Sequence, residues 1–356
     1  MKKKIVVLFL LLLSIISIIF VSNNDFLYKD EIMKITNIKI EKIEKVQNTI
    51  GIEEEYYMEN ITGIITNGKS KNTKKTIEYE RTYSSVTTDK YRVGDKVFVK
   101  KNEITGLKRD VYITFLIVSF IILIYIVGEY KGLLSIVSVI FNIIIFYIGL
   151  DLYFKGINLL FLCIIESIVF SIFSLFIAGG INKKTVSAIV SVFASVIILL
   201  ILVLIVVTFT KYDGINFNEL SYLTVPPEDI IIPELLIGSL GAIMDVAITM
   251  SSSINELIEK DKNISIKNLT ISSKQIGKDI MSTMTNVLFF TYILSGLPIF
   301  ILAIRNGFGF YNYISSSFSL EQTRFLVGSI GIVMSIPLST FISIKIFKRG
   351  AKWIKF

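Results

Sequence analysis

The stretch Val186–Thr208 reads VSAIVSVFASVIILLILVLIVVT and contains no charged residue over its 23 positions. Because an α-helix rises about 1.5 Å per residue, a helix of this length crosses the roughly 30 Å hydrocarbon core of a bilayer. A helix on the surface of a soluble protein would carry charged residues on one face, and this stretch has none. The stretch therefore predicts a membrane-spanning helix.

Comparable apolar runs lie on both sides of this stretch. We predict spans near 111–127, 133–150, 157–178, 186–208, 230–250, 284–304 and 325–347. A further apolar run, from Ile5 to Val21, has no small-x-small cleavage site after it, which favours a retained anchor over a cleaved signal peptide. The predicted fold is an α-helical integral membrane protein with about eight transmembrane helices, an N-terminal anchor in residues 1–24 and a seven-helix bundle in residues 111–356.

Residues 25–110 differ from the rest of the chain, because they are rich in charges of both signs. Apolar and polar residues alternate in 35–40 and again in 76–83, and Gly94-Asp95 resembles a turn that enters a strand at 96–99. Alternation with period two is typical of half-buried strands. We predict a small β-rich domain, with an open barrel as one form, inserted after the first helix.

The basic residues indicate the orientation of the chain. Predicted cytoplasmic segments, including a loop at 251–283 and both termini, hold sixteen lysines and arginines, among them Lys352 and Lys355 in the C-terminal tail. The short external loops hold four: Lys155, Lys211, Arg305 and Arg324. The positive-inside rule then places both termini in the cytoplasm and residues 25–110 outside it. This topology accounts for the net charge of +8 without a nucleic-acid partner.

Composition excludes several kinds of chemistry. The chain has no histidine, so it cannot build His-based triads, HExxH zinc sites or imidazole relays. Its single cysteine, Cys163, lies in an apolar run and has no second thiol for a disulfide or a thiolate cluster. We find no catalytic motif and expect neither an enzyme nor a cofactor.

Asp245 is the most informative polar residue within a predicted span. Burying a charge in a bilayer costs about 2.5–3.5 kcal/mol on insertion scales, so such a residue needs a reason. Helical spacing places Gly241, Asp245, Thr249 and Ser252 on one stripe, with the small residue allowing close helix approach. The stripe predicts either an ion or proton site or a buried carboxyl that locks two helices together.

A second polar face enters the next span from the predicted cytoplasmic side. Asp279, Thr283 and Asn286 follow each other at i, i+4 and i+7, at about the depth of the Asp245 stripe, which they could meet. Asp279 also suits a helix N-terminus, where the dipole favours a carboxylate. Farther along, Ser295-Gly296-Leu297-Pro298 should bend the helix.

Glu166 lies in the middle of the span at 157–178, and nothing in its own helix neutralises it. It is either protonated or paired across helices. Ser187, Ser191 and Ser195 form a small-residue stripe on the following helix, which favours helix packing. Asn142 adds another polar group to the span at 133–150.

The segment GAIMDVAITMSSSINEL at 241–257 resembles the signature of the YibE/YibF-like bacterial membrane proteins. Gly277-Lys278-Asp279 with Thr283 and Asn286, Leu297-Pro298 and Gly328-Ser329-Ile330-Gly331 carry the resemblance further. It covers nearly the whole chain and implies an anchor, an extracytoplasmic domain and a bundle of about seven spans in a bacterial plasma membrane. It implies no particular activity. The chain departs from the expected pattern at Met250–Ser253, which is unusually rich in hydroxyl groups.

Two functions remain open. The first is a secondary transporter or permease for an ion or small solute, with Asp245 as the binding carboxylate and Thr249, Ser252, Thr283 and Asn286 as neutral ligands. Asp279 would act at the cytoplasmic mouth and Glu166 as a second acid, and such hard donors suit H⁺, Na⁺ or Mg²⁺. The second is a membrane scaffold or partner subunit, as a homo-oligomer or through an external domain that binds another envelope protein. An intramembrane aspartyl protease is a distant third.

Overall fold

A computed structural model describes residues 2–47, 53–83, 88–217, 226–316 and 318–349. The predicted cytoplasmic residues Lys352 and Lys355 lie outside these ranges. The chain divides into two compact units, Met1–Leu133 and Leu134–Phe356, which we describe separately.

The first unit begins with helix α1 (Lys2–Asn23) and continues through a short 3-10 helix (Asn24–Leu27) into an antiparallel sheet. The strands are β1 (Glu31–Gln47), β2 (Glu53–Ile65), β3 (Lys74–Thr82), β4 (Lys96–Lys100) and β5 (Glu103–Leu107), in the order β3-β2-β1-β4-β5. The two edge strands, β3 and β5, also contact each other, so the sheet is curled. The predicted small β-rich domain is therefore confirmed, while its side of the membrane stays a prediction.

Apolar side chains on one face of the sheet form the core of this domain. Met33, Ile35, Ile61 and Val97 are almost completely buried. Gly63 on β2 is required where the sheet is tightest, because a Cβ there would lie 2.5 Å from the carbonyl oxygen of Lys34. The apolar residues whose alternation predicted the strands are the residues that fill this core.

A buried network of charges joins the end of α1, the sheet and the start of the next helix. The ammonium group of Lys108 is almost fully buried, donates to Asn24 Oδ1 at 2.8 Å and lies 3.3 Å from Asp25 Oδ1 and 3.4 Å from Asp110 Oδ2. Lys96 donates to the other oxygen of Asp25 at 2.5 Å. Two lysines and two aspartates thus balance each other where the three elements meet, as buried charges require.

Helix α2 (Asp110–Phe154) has 45 residues and is broken at Glu129, whose φ of 51° and ψ of −131° are not helical. A straight helix of this length would measure about 68 Å, more than twice the hydrocarbon thickness of a bilayer. Three residues after the break, a Cβ at Gly132 would lie 2.5 Å from the carbonyl oxygen of Ile124. Residues eight positions apart in one straight helix do not approach so closely, so the helix is sharply kinked at the break.

Helices make up the second unit. They are the part of α2 after the break (134–154), which we call its second arm, and then α3 (Leu159–Gly179), α4 (Lys183–Thr210), α5 (Pro227–Lys260), α6 (Ile266–Ser295), α7 (Leu297–Arg305), α8 (Phe310–Ser316) and α9 (Ser319–Arg349). Helix α5 packs against α3, α4, α6 and α9, and its residues Leu236, Ile243 and Met250 are almost completely buried. This central helix carries the Asp245 segment.

Six helices in the described residues are long and apolar enough to cross a membrane, or seven if the bent pair α6 and α7 forms one span. These two helices meet at an angle of 43° beside Gly296, which confirms the predicted bend. The count of eight spans stays a prediction. The predicted cytoplasmic segment 251–283 is helical except for residues 261–265, since α5 continues to Lys260 and α6 begins at Ile266. Its side of the membrane stays a prediction.

The serine stripe of α4 lies in a helix interface, as its small residues predicted. Ser187, Ser191 and Ser195 are fully buried, and the hydroxyls of Ser191 and Ser195 each donate to the carbonyl four residues earlier. The hydroxyl groups of Ser187 and Ser343 lie 2.8 Å apart, which links α4 to α9. Small side chains with satisfied hydroxyls let these apolar helices approach closely.

Candidate functional site

The candidate site is a groove of about 630 Å³ between the second arm of α2, helix α3 and helix α5. We call it the Asp245 groove. Its polar lining consists of Ser135, Ser138, Asn142, Ser174 and Asp245. Apolar residues of α3 and α5 form the rest of its wall, so the polar groups are few and converge on one space. Such an arrangement is typical of small-ligand sites.

Asp245 opens into this groove from the central helix. Gly241, Asp245 and Thr249 are all exposed on one side of α5, and Ser252 is half-buried, so the predicted stripe exists. Gly241 and Asp245 line the groove, whereas Thr249 and Ser252 follow along the helix outside its lining. Within the described ranges, no hydrogen bond or ion pair engages the Asp245 carboxylate.

The structure corrects the role predicted for Gly241. A Cβ at this position would meet nothing within 4 Å, so the glycine does not bring two helices into close contact. Instead, its missing side chain leaves space one turn of helix away from the Asp245 carboxylate. Gly241 therefore enlarges the groove. A stripe that only locked two helices together would not need this space.

Asn142 faces the groove from the second arm of α2. Its Nδ2 donates a hydrogen bond of 2.7 Å to Ser174 Oγ on α3, which fixes the orientation of the amide. The Oδ1 atom is buried and has no hydrogen-bond partner among the described residues. An acceptor left in this state costs free energy unless something donates to it or coordinates it. The groove is therefore lined by a carboxylate and by an asparagine whose buried amide oxygen still lacks a donor.

Glu166 belongs to the same seam between the second arm of α2 and α3. Its side chain is 6% exposed, and its carboxylate packs directly against Gly149, where any Cβ would overlap Oε1. Ser174 follows Glu166 by eight residues, or roughly 12 Å along α3, and Gly149 follows Asn142 by seven. Two polar contacts thus lie about two turns apart on one seam, and the described residues include no cation that pairs with Glu166.

The second predicted polar face does not join this groove. Asp279, Thr283 and Asn286 are all exposed on one side of α6, so they share a face as predicted. The buried residues of that helix, Gly277 and Leu288 among them, lie on another side. None of the three polar residues lines the Asp245 groove. The Asp245 groove is therefore formed without the second predicted face.

Sequence reasoning missed two contributors to the site. Ser138 precedes Asn142 by one helical turn and lines the groove beside it. Gly149 provides the space for the Glu166 carboxylate. The i, i+4 spacing of Ser138 and Asn142 was a usable signal, since it places both on one face of an otherwise apolar helix. Gly149 carried no signal, because its role depends on a residue of another helix.

A second ionic cluster lies at the beginning of α9. Arg324 forms ion pairs with Glu321 of its own helix and with Glu234 of α5. Nearby, the hydroxyl of Tyr292 donates a hydrogen bond of 3.0 Å to the carbonyl of Gly238, which ties α6 to α5. These contacts hold the ends of the helices together, so we assign them to packing. The buried Nε of Arg324 has no hydrogen-bond partner among the described residues.

Among the described residues, no three histidine, cysteine, aspartate or glutamate side chains lie close enough together to hold a metal ion. A cation in the Asp245 groove would therefore be held by one carboxylate and neutral oxygens. That donor set suits a proton or a weakly held hard cation better than a resident metal centre.

The long apolar helices and the small sheet near the N-terminus indicate a membrane protein. A model of the YibE/F-like protein family matches residues 116–349, and a model of the YibE/F family N-terminal domain matches residues 26–114. The chain therefore belongs to the YibE/F-like family, as the Asp245 segment predicted. Comparisons with curated proteins and with solved structures gave no match.

Proposed function

We propose that this protein is a secondary transporter or permease that moves a proton, a hard cation or a small cationic solute across the bacterial plasma membrane. The observation that carries the proposal is the Asp245 groove, in which one carboxylate faces an open space between helices and Asn142 lines the same space with a buried amide oxygen that has no partner among the described residues. A carboxylate that only locked helices together would be packed against a neighbour. This one is exposed to the groove instead.

In this proposal Asp245 is the binding group and Asn142 supplies a neutral oxygen. A carboxylate at low dielectric binds a proton or cation reversibly, because the protein around it does not fully replace the solvation of the charged form. Ser174 holds the Asn142 amide with Oδ1 free to accept. Thr249 and Ser252 extend the same side of α5 beyond the groove and provide hydroxyl oxygens along the path.

Glu166 serves as the second acid in this proposal. It lies farther along the seam on which the Asn142–Ser174 contact also lies, roughly 12 Å from Ser174 by helix rise. One carboxylate in the groove and a second on the adjoining seam suit a stepwise transfer of charge, in which each acid is neutralised in turn. This path does not include Asp279, Thr283 or Asn286, because they lie on an exposed side of α6.

The proposal is tested by flux into proteoliposomes that hold the purified full chain. Imposed gradients of H⁺, Na⁺ or Mg²⁺ are the probes, and ion-sensitive dyes inside the vesicles report entry. We expect Asp245→Asn to abolish the flux that wild type supports while its thermal stability stays close to wild type, since exposed substitutions usually change the free energy of unfolding by less than about 0.5 kcal/mol.

Two further variants sharpen this test. Asp229→Asn is the matched control, because Asp229 is an exposed acid of the same helix outside the groove lining, and it should transport normally. Gly241→Leu keeps every charge but fills the groove beside Asp245, and we expect it to transport poorly. Normal flux through Asp245→Asn, or an equal loss with Asp229→Asn, would contradict the proposal.

A specific feature of the sheet favours the alternative function, a partner subunit. Strand β1 pairs with β4 only through Glu31–Lys34, and its later residues pair with β2 alone among the described strands. That free edge carries the exposed apolar residues Ile40, Ile43 and Val46. An unpaired strand edge can accept a strand from another protein, with main-chain hydrogen bonds providing affinity.

The two functions predict different mutant behaviour. If the protein is a partner subunit, Ile43→Pro should abolish a specific complex with an envelope protein, because proline cannot donate along the edge. Asp245→Asn would then leave that complex intact. If the protein is a transporter, the groove variants stop flux and Ile43→Pro does not.

A further inference from the structure

A second groove, of about 620 Å³, lies between α6 and α9. We call it the lysine groove. Its walls are mostly apolar and include Met281, Val333, Ile336 and Phe341. It is separate from the Asp245 groove, since the two share no lining residue. Nothing in the proposed transport function uses it.

The helices meet closely at one point of this groove. A Cβ at Gly277 of α6 would overlap the side chain of Ile336 on α9, so the glycine sets the distance between the two backbones. Pro337 follows Ile336 and has no amide hydrogen to donate within α9. The groove is therefore a gap between two helices in direct contact at its floor.

Three lysines line this apolar groove. Lys274 and Lys278 follow each other by one turn on α6, and Lys345 lines the same groove from α9. No carboxylate lines the groove in the part of the chain that the structure describes, and none of the three ammonium groups forms an ion pair there. Lys345 Nζ lies 5.8 Å from the centre of the Phe341 ring, close to the limit of a cation–π contact.

We infer that the lysine groove binds an anionic phospholipid, with its phosphate between Lys274, Lys278 and Lys345 and an acyl chain along Val333, Ile336 and Phe341. The charges select an anion, and the apolar walls select one that carries a hydrocarbon chain. A free phosphate would satisfy the lysines and leave the walls exposed. All three lysines lie in segments for which the positive-inside rule predicts the cytoplasmic side, where basic pockets between helices recognise anionic headgroups.

The test measures the thermal stability of the purified full chain in a neutral detergent. Phosphatidylglycerol is titrated against phosphatidylcholine of the same acyl chains, and glycerol phosphate serves as the soluble headgroup. We expect a saturable rise in the melting temperature with phosphatidylglycerol and much less with the other two, since a ligand that binds only the folded state stabilises it.

Two triple variants, each of which loses three positive charges, test whether the lipid binds in the lysine groove. The variant Lys274→Gln/Lys278→Gln/Lys345→Gln should weaken the apparent affinity for phosphatidylglycerol by about a hundredfold, from about 1 kcal/mol per lysine and 1.4 kcal/mol per tenfold change. The control Lys260→Gln/Lys262→Gln/Lys267→Gln changes exposed lysines outside the groove lining, and its affinity should stay close to wild type.

A third variant tests the apolar wall. Val333 is exposed within the groove, so Val333→Trp fills the space without disturbing the core or the lysines, and we expect it to lose most of the stabilisation. Equal weakening by both charge variants would overturn the inference, because it would show general attraction between charges. Equal stabilisation by phosphatidylcholine, or by glycerol phosphate, would overturn it as well.

Discussion

Single residues decide what each polar group within the bundle can do. Glu166 and Asp245 looked alike as acids in apolar spans, but the structure treats them differently. Glu166 is packed against Gly149, whereas Asp245 is exposed to a groove that Gly241 keeps open. The two glycines therefore determine that Glu166 is buried and Asp245 is accessible, although a glycine has no functional group of its own.

We predict that Gly149→Ala destabilises the protein by about 1–3 kcal/mol, the usual cost of overpacking. Its methyl group would overlap the Glu166 carboxylate, which has to move or push the helices apart. Gly241→Ala is the matched control, since its methyl group meets nothing within 4 Å and alanine favours a helix. Thermal unfolding in detergent measures both variants.

The double variant Gly149→Ala/Glu166→Asp tests the proposed cause. A shorter acid relieves the overlap, so the two changes together should cost less than their separate sum. If Gly149→Ala and Gly241→Ala have the same melting temperature, the contact between Glu166 and Gly149 does not determine the packing of this seam.

At the scale of elements, the sequence predicted the strands and helices in which apolar residues follow a regular pattern. It missed elements in which that pattern is interrupted. The alternation of β1, β3 and β4 and the apolar lengths of α3 and α4 led to the right structures. Strand β2 was not predicted, because it begins with three glutamates and its apolar residues alternate only from Ile61 onward. In the predicted cytoplasmic segment 251–283, helices α5 and α6 both continue beyond their apolar parts, which the helical spacing of Ser252 and of Asp279 with Thr283 indicated.

We predict that the β domain loses stability in alkali. Tyr91 is buried, and burial, with a smaller effect of the neighbouring Tyr79, raises the pKa of its phenol well above the usual value. Burial likewise raises the pKa of Tyr79, whose hydroxyl donates to the carbonyl of Asp89 at 3.0 Å. The raised pKa means that these phenols stabilise the fold fully below the unfolded pKa of about 10, and this contribution is lost as pH rises through the folded pKa.

Thermal unfolding of the full chain as a function of pH checks this prediction, with tyrosinate absorbance as the second readout. Tyr91→Phe keeps the ring and removes the phenol, so its melting temperature should fall less steeply above about pH 10 than that of wild type. Native Tyr91 that titrates like a free tyrosine would show that the buried position is wrong.

For the whole molecule, the chain combines a small curled sheet with long apolar helices, and both parts match the YibE/F-like family. The distribution of basic residues predicts the orientation of the chain, and the break at Glu129 supports the prediction that α2 crosses the membrane twice. Each arm of α2 is apolar and about as long as a bilayer requires. We therefore retain eight spans, with residues 25–110 outside, as the topology to be tested.

Single cysteines test this topology. In a Cys163→Ser background, we expect Lys71→Cys in the β2–β3 turn to react with an impermeant maleimide on intact cells. Tyr130→Cys at the break of α2 and Lys262→Cys between α5 and α6 should react only after the membrane is opened. All three positions are exposed, so access depends on the side of the membrane.

The Tyr130→Cys result decides the span count. Labelling of this position from outside would mean that α2 does not cross twice, and the count would fall to six or seven. Labelling of Lys262→Cys from outside would reverse the predicted orientation of the bundle.

The amino-acid sequence by itself determined the class of protein, the β domain, the bend at Gly296 and the YibE/F-like family. These properties depend on local quantities, namely the length of an apolar run, the period of alternation and the presence of glycine or proline. The grooves depended on tertiary structure. Asn142 and Asp245 are about a hundred residues apart, and only helix packing shows that they face one space while Asp279 does not. A periodic pattern identifies the face of a helix, but the neighbour of that face is determined by how all the helices pack.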